Sequence, residues 1–508
     1  MNLHDQIGQM FTIGFDGFTA PDHILEWLRE GRVGGIILLA RNFESAEQLA
    51  ELTRTLHAAA KHPLLISIDQ EGGVVAKMRA PYFSEVPGAM AIASSSADAP
   101  ANAYNAYGII GREMQAVGMN WDYAPAVDLT YNRANPTVGT RSFGTDPEKV
   151  GALAAQAVKG LQDNGVAACA KHFPGLGDTA IDTHVALATL NAPLEQLIAR
   201  DLIPYRAVIA AGIASIMTTH TVYSALDLDY PATLSSIVIH RLLRGELGYT
   251  GLIVSDCMDM KAIADNYTPA EYVVLGALAG LDIILVSHNR EAQAAAFDAL
   301  LEAAESGRVP LSRIEQANAQ IAHMKAQYAA RPADLSALRT SDAMETGLKI
   351  AREGVAHLRG TLPINLDWRI VCIEFASVLD STVAERKSMV GFAKRWGERT
   401  NLPAFTVRVN DEDAFAEALT AAHGGECVLV ITRSAHLNEK QAGKARQLLA
   451  AAPSNVLVAL RNPFDGAILP EAQTVICTCG DSEPQLMAAI EALLDDFSPT
   501  GTPPVTLE

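Results

Sequence analysis

The chain reads as an α/β protein: an N-terminal (β/α)8 TIM barrel followed by a C-terminal α/β sandwich domain. Three observations predict this. Eight short apolar runs alternate with stretches of helical period over residues 9 to 288. Polar residues close several of these runs, where barrel active sites lie. A second series of five runs follows a proline-containing break at Ala330-Arg331-Pro332-Ala333-Asp334. A length of 508 residues also exceeds one ordinary domain. The expected division is 1–335 for the barrel and 336–508 for the sandwich.

The eight runs are 9–15, 34–39, 64–69, 120–124, 167–172, 214–220, 252–256 and 281–287. Helical patterns lie between them at 21–30, 46–59, 101–117, 147–164, 194–211, 235–246 and 268–279, and a last helix at 311–329 ends the unit. A doubly wound open sheet is the competing architecture, but no G-x-G-x-x-G follows the first run. In the second unit a helix at 342–358 precedes runs at 369–375, 404–409, 427–432, 455–460 and 474–479. These alternate with helices near 378–400, 411–422, 438–452 and 483–494, which suits a mostly parallel sheet. Arg461-Asn462-Pro463-Phe464-Asp465 reads as a structural turn, with a ligand or the other domain as the alternative contact.

Composition narrows the function. A net charge of -19 gives no basic face for nucleic acid or an anionic membrane. No apolar run reaches the ~20 residues of a membrane span, and the amino terminus has no signal-like pattern, so a cytoplasmic protein is expected. The six cysteines form no C-x-x-C pair and most lie in apolar runs. Buried free thiols are expected rather than disulfides or a zinc site.

The stretch Lys171-His172-Phe173-Pro174-Gly175-Leu176-Gly177-Asp178 ends the fifth run with a cation and an imidazole, then turns into a loop. Asp182 and His184 follow on that loop. A carboxylate near a histidine fixes its tautomer and raises its basicity, which suits an acid/base, although an isolated D-x-H is more often a polar surface loop. Asp256 ends the seventh run as either a catalytic group or a turn cap. Asp69, before Gln70-Glu71-Gly72-Gly73, could accept hydrogen bonds from two sugar hydroxyls or serve a tight turn. Arg141 sits in an excursion after the fourth run and suits a substrate contact or a structural ion pair. His220 closes the sixth run, with a hydrogen-bonded core histidine as the plain alternative, and Cys257 reads as packing. One nucleophilic carboxylate and a separate acid/base at a barrel mouth suit glycoside hydrolysis with retention.

Six motifs in order resemble glycoside hydrolase family 3, and within it the two-domain bacterial β-N-acetylglucosaminidases. They are Asp69-Gln70-Glu71-Gly72-Gly73, Asp122-Tyr123-Ala124-Pro125, Gly139-Thr140-Arg141-Ser142-Phe143-Gly144, Lys171-His172-Phe173-Pro174-Gly175, Asp182-Thr183-His184 and Ser255-Asp256. The resemblance spans roughly residues 5 to 330 and is weaker beyond. It implies Asp256 as nucleophile, His184 paired with Asp182 as acid/base, and Asp69, Arg141, Lys171 and His172 around the N-acetylglucosamine. Beside these, Lys77 and His220 are further candidate substrate contacts. The implied partner is a small carbohydrate, and no metal or organic cofactor is expected. Val74, Lys77 and Leu176 depart from the family pattern, and at Lys77 a lysine cannot make the bidentate contact of an arginine. Two alternatives stand beside hydrolysis: phosphorolysis, because a histidine acid/base carries no negative charge to repel phosphate, and a non-catalytic sugar-binding protein.

Overall fold

The structure is a computed structural model that describes residues 1–95, 98–179, 182, 186–376 and 391–507. Its first sheet has eight parallel strands: β1 (Phe11–Ile13), β2 (Gly35–Ile37), β3 (Leu65–Ile68), β4 (Trp121–Asp122), β5 (Ala167–Phe173), β7 (Ser215–Thr218), β9 (Leu252–Ser255) and β10 (Ile284–Val286). They pair in the order β10-β1-β2-β3-β4-β5-β7-β9. A parallel bridge between Val254 and Ile283 joins the two ends, so the sheet closes as a barrel. Two further strands, β6 (Ala188–Leu190) and β8 (Thr221–Tyr223), form a parallel ribbon outside it.

Local chemistry sets the helices. Ser45 Oγ accepts the Gln48 N–H at 3.1 Å and opens the helix Ala46–Ala59. Thr268 and Glu271 form a reciprocal capping box at the start of Pro269–Ala279. Inside the barrel Trp121 Nε1 donates to Ser215 Oγ at 2.9 Å, and the Trp121 ring meets Tyr123 edge-on at 4.8 Å. The core around these strands is continuous from Ile7 to Ile350, and each fully buried Leu, Ile or Val in it contributes roughly 1.5–3 kcal/mol.

The first unit also holds helices that the sequence reading did not mark. A helix at Leu3–Gln9 precedes the first strand, and the eighth barrel helix is Arg290–Glu305, ahead of Leu311–Gln327. The alanine-rich segment 290–305 has a weak apolar contrast between its faces. Its start is nevertheless marked by Asn289, whose Oδ1 accepts the Ala292 N–H at 3.0 Å. The break near residue 332 is pinned rather than loose: Asp334 N–H donates to the Ala116 carbonyl and Arg331 N–H to Gln115 Oε1.

The second sheet comprises β11 (Ala356–Arg359), β12 (Ile370–Phe375), β13 (Ala404–Val407), β14 (Cys427–Thr432), β15 (Ser454–Ala459) and β16 (Thr474–Cys477). Its order is β11-β16-β15-β14-β12-β13, parallel except for β11. Alternate residues face opposite layers. Ile370, Cys372 and Leu429 pack with Phe392, Trp396 and Ile490, while Val371, Ile373 and Val430 pack with Phe415 and Leu448. The expected helix at 342–358 ends at Gly354, and β11 takes the remainder. Gly354 lies against the first unit, where an added Cβ would stand 2.7 Å from the Ala91 carbonyl oxygen. The expected turn at Arg461–Asp465 runs into a short helix, Phe464–Ile468, that touches the barrel. The Arg133 guanidinium lies over the Phe464 ring at 5.1 Å. No helix among the described residues is long and apolar enough to cross a membrane.

Candidate active site

Parallel strands put all their carboxyl ends at one mouth of the barrel. Asp69 follows β3, Lys171 and His172 lie near the end of β5, and Asp256 follows β9. A cavity of about 230 Å³ opens there, lined by Asp69, Lys77, Arg141, Lys171, His172 and Asp256, with Tyr123, Met217, Met260 and Leu285 as apolar wall. Six residues singled out in the sequence thus share one space. A cavity of about 220 Å³ at the opposite end, lined by Tyr249, Gln320 and His323 among others, has no carboxylate in its wall.

Glu71, quoted in a motif but given no role above, ties the charges together. Its carboxylate accepts from Arg141 through Oε2···Nε at 2.9 Å and Oε1···Nη2 at 2.7 Å, and from Lys171 Nζ at 2.7 Å. Lys171 Nζ also donates to Asp69 Oδ1 at 2.5 Å. Burial alone would push the Glu71 carboxyl up, but Arg141 and Lys171 outweigh it and hold the group well below the usual carboxylate range. Burial likewise opposes charge on Lys171, and Asp69 with Glu71 reverses that, so the ammonium stays protonated. The bidentate Glu71–Arg141 pair fixes both side chains at the cavity wall. Asp122, behind them, is buried and accepts the Gln70 N–H at 3.0 Å, and burial raises its carboxyl well above the usual range.

Asp128 is a second partner that the sequence reading missed. Its Oδ2 lies 2.8 Å from His172 Nδ1, and its Oδ1 accepts the Leu176 N–H at 2.7 Å. A carboxylate there places the imidazole proton on Nδ1 and leaves Nε2 for a ligand. Leu176 is itself buried.

At Asp256 the next peptide orients the carboxylate: Cys257 N–H donates to Oδ1 at 2.7 Å. His220 lies behind it, fully buried and outside the cavity wall. Its Nδ1 is 2.9 Å from Thr233 Oγ1 and its Nε2 is 2.9 Å from the Cys257 carbonyl. His220 thereby holds the Cys257–Met258 peptide, one peptide beyond Asp256, by a core hydrogen bond. Burial pushes the Cys257 thiol up to about 12, which fits packing and not a thiolate nucleophile.

The loop after β5 is tied at its root. Tyr223 OH donates to the Gly175 carbonyl, and Asn135 Nδ2 donates to the Leu176 carbonyl at 2.9 Å. Gly177 is required because an added Cβ would fall 1.8 Å from the Leu129 carbonyl oxygen. Arg200 pairs with both Asp178 and Asp201. Asp182 is half-buried on this loop, and its carbonyl accepts the Ala186 N–H at 3.2 Å. His184 lies outside the described residues.

Around the glycine pair, Val74 is half-buried and Arg79 supplies the positive charge. Arg79 donates from Nε to the Ala76 carbonyl at 2.7 Å and from Nη2 to the Gly73 carbonyl at 3.0 Å. Lys77 is buried in the cavity wall, with its peptide N–H on Gln70 Oε1 at 2.7 Å.

The sequence model of the glycosyl hydrolase family 3 N terminal domain matches residues 2–324. This chain belongs to glycosyl hydrolase family 3. A β-hexosaminidase of Stenotrophomonas maltophilia (strain R551-3) is 38% identical to the family 3 chain over 284 residues, covering 55% of this chain and 83% of that one. β-Hexosaminidase A of Pseudoalteromonas piscicida is 33% identical over 342 residues, 63% of this chain. That match spans only 57% of the Pseudoalteromonas protein. The solved structure of a family 3 β-N-acetylglucosaminidase from Paenibacillus sp. superposes with a TM-score of 0.93 at 34% identity, over 100% of this chain and 99% of that one. The family 3 chain is therefore a glycoside hydrolase, with the barrel and second sheet both present in a relative.

Proposed function

We propose that this chain is a retaining exo-β-N-acetylglucosaminidase that releases terminal β-linked N-acetylglucosamine from peptidoglycan turnover fragments or chitooligosaccharides. The observation that carries the reading is the position of Asp256. It stands at the end of β9, in the wall of the same cavity as Asp69, Arg141, Lys171 and His172. Relatives that are named β-hexosaminidase and β-N-acetylglucosaminidase support the sugar class. In this reading residues 1–335 carry the chemistry and 336–508 buttress it. Asn462 of the second unit adjoins the Arg141 loop, 3.2 Å from where a Cβ on Gly139 would stand.

The reaction follows from two groups. His184, oriented by Asp182, gives its proton to the glycosidic oxygen while Asp256 attacks the anomeric carbon, forming a glycosyl ester. The aglycone leaves as an alcohol. The imidazole then takes a proton from water, which attacks the same carbon and restores the carboxylate. Asp69 accepts hydrogen bonds from sugar hydroxyls, and His172 Nε2 and Lys77 supply further polar contacts. Arg141 and Lys171 already give their charged donors to Glu71 and Asp69, so these two cations are committed to carboxylates rather than to inorganic phosphate, which favours hydrolysis over phosphorolysis.

Mass spectrometry after reaction with a 5-fluoro N-acetylglucosaminyl donor tests the assignment. A single adduct on the peptide containing Asp256 is expected. An adduct elsewhere, or sugar 1-phosphate formed when phosphate is added, overturns it.

A further inference from the structure

Three donors of different kinds meet on one side of the cavity. Cys257 follows β9 and His288 follows β10, the two strands whose junction closes the barrel, and Asp259 lies on the turn after Cys257. Cys257 Sγ is 3.9 Å from Asp259 Oδ2, Asp259 Oδ2 is 3.6 Å from His288 Nδ1, and the three atoms all lie within 4.8 Å of one another. A tetrahedral zinc ion with metal–sulfur and metal–nitrogen bonds of ordinary length sets its donors about 3.3–3.8 Å apart, so side-chain movements of about 1 Å suffice. The carboxylate is held in place by the peptide N–H groups of His288 at 2.9 Å and Asn289 at 3.3 Å. Ser287 Oγ bridges the other two donors, 2.8 Å from Cys257 Sγ and 2.6 Å from His288 Nδ1. Cys257, Ser287 and His288 line the same cavity as Asp256.

We propose that Cys257, Asp259 and His288 bind one thiophilic divalent transition-metal ion, of the Zn2+ or Co2+ class, and that the bound ion inhibits the enzyme. Sulfur, imidazole nitrogen and carboxylate oxygen together select such ions over Mg2+ or Ca2+, which prefer all-oxygen shells. Binding forms a metal–thiolate bond at Cys257 and releases the thiol proton to solvent. The fourth position faces the cavity, where water or a sugar hydroxyl would sit. Inhibition follows from adjacency: the peptide N–H of Cys257 holds the Asp256 carboxylate, so a dication on that residue draws the carboxylate toward itself and occupies the wall. The site escapes a reading by spacing because its ligands come from two strands.

Titration of the metal-stripped full chain with Co2+ reads the site through a sulfur-to-cobalt charge-transfer band, independently of activity. One equivalent is expected, with the band abolished by Cys257→Ser and affinity lowered by about tenfold or more in His288→Ala. His288 is exposed, so that variant is expected to fold even if Cys257→Ser does not. Asp256→Asn is expected to keep the band. Zn2+ should displace Co2+ and inhibit hydrolysis of an aryl N-acetylglucosaminide. The other five cysteines are fully buried, so a band that survives Cys257→Ser overturns the proposal. So does the absence of a band, unchanged affinity in His288→Ala, loss of the band in Asp256→Asn, or Zn2+ binding without inhibition.

Discussion

Lys171 at the carboxyl end of the barrel and Lys325 at its amino end are both buried, yet their surroundings drive them in opposite directions. Lys171 faces Asp69 and Glu71 and is held protonated. Lys325 meets the neutral Gln9 Oε1 at 2.6 Å, and burial alone pulls it down to about 7. One end of the barrel keeps its charge because carboxylates were placed with it; the other holds a charge that its environment disfavours. Burial of a lysine therefore says little about function until its partners are known.

The second sheet adds a third case. Glu374, Arg433, Arg461 and Asp481 also gather at the carboxyl ends of parallel strands, through Arg433–Glu374 at 2.5 Å, Arg433–Asp481 at 3.2 Å and Arg461–Asp481 at 3.0 Å. All four are buried. Glu374 also accepts the Phe392 and Ala393 N–H groups at the start of Phe392–Thr400. The barrel cluster borders a cavity and this one joins a loop and a helix, so charge at strand ends serves chemistry only where space is left beside it.

The comparison can be broken in four places. The largest effect is expected from Asp256→Asn, which should lower kcat on an aryl N-acetylglucosaminide by roughly a thousandfold or more while leaving the thermal midpoint near wild type. Glu71→Gln removes the anion between Arg141 and Lys171. It should cost about 3–5 kcal/mol of stability in a denaturant titration and raise KM as both cations shift. Arg433→Met should also destabilise, through the unpaired Glu374, but leave KM unchanged; a changed KM would make the second cluster part of the site. The smallest effect is at Lys325→Met, which should raise the thermal midpoint at pH 7. The folded chain binds this proton less tightly than the unfolded chain, whose lysine titrates near 10.4. Wild-type stability therefore climbs between pH 7 and 10, is lost as pH falls toward 7, and the advantage of the variant shrinks over that window as pH rises.

The strand order and the polar strand ends were legible because the sheet repeats a simple pattern, an apolar run that stops where the barrel opens. The helix at 290–305 was not, since alanine on every face blurs the period. Asp69, Arg141, Lys171, His172 and Asp256 were identified from motifs. Glu71 and Asp128 escaped because a buried carboxylate shows its purpose only through its partners, and those lie 70 and 44 residues away in the chain. His220 looked like a strand-end ligand, yet Thr233 and the Cys257 carbonyl occupy both of its nitrogens.

By itself the sequence determined which segments become strands, which of them end in ionisable groups, and which family chemistry those groups suit. Tertiary structure decided which polar ends share a cavity, which charges cancel, and that Cys257, Asp259 and His288 stand within reach of one ion. The reason is distance. Alternation and capping act over a few residues, whereas ion pairs, hydrogen bonds and shared ligands are set by which strands the barrel brings side by side.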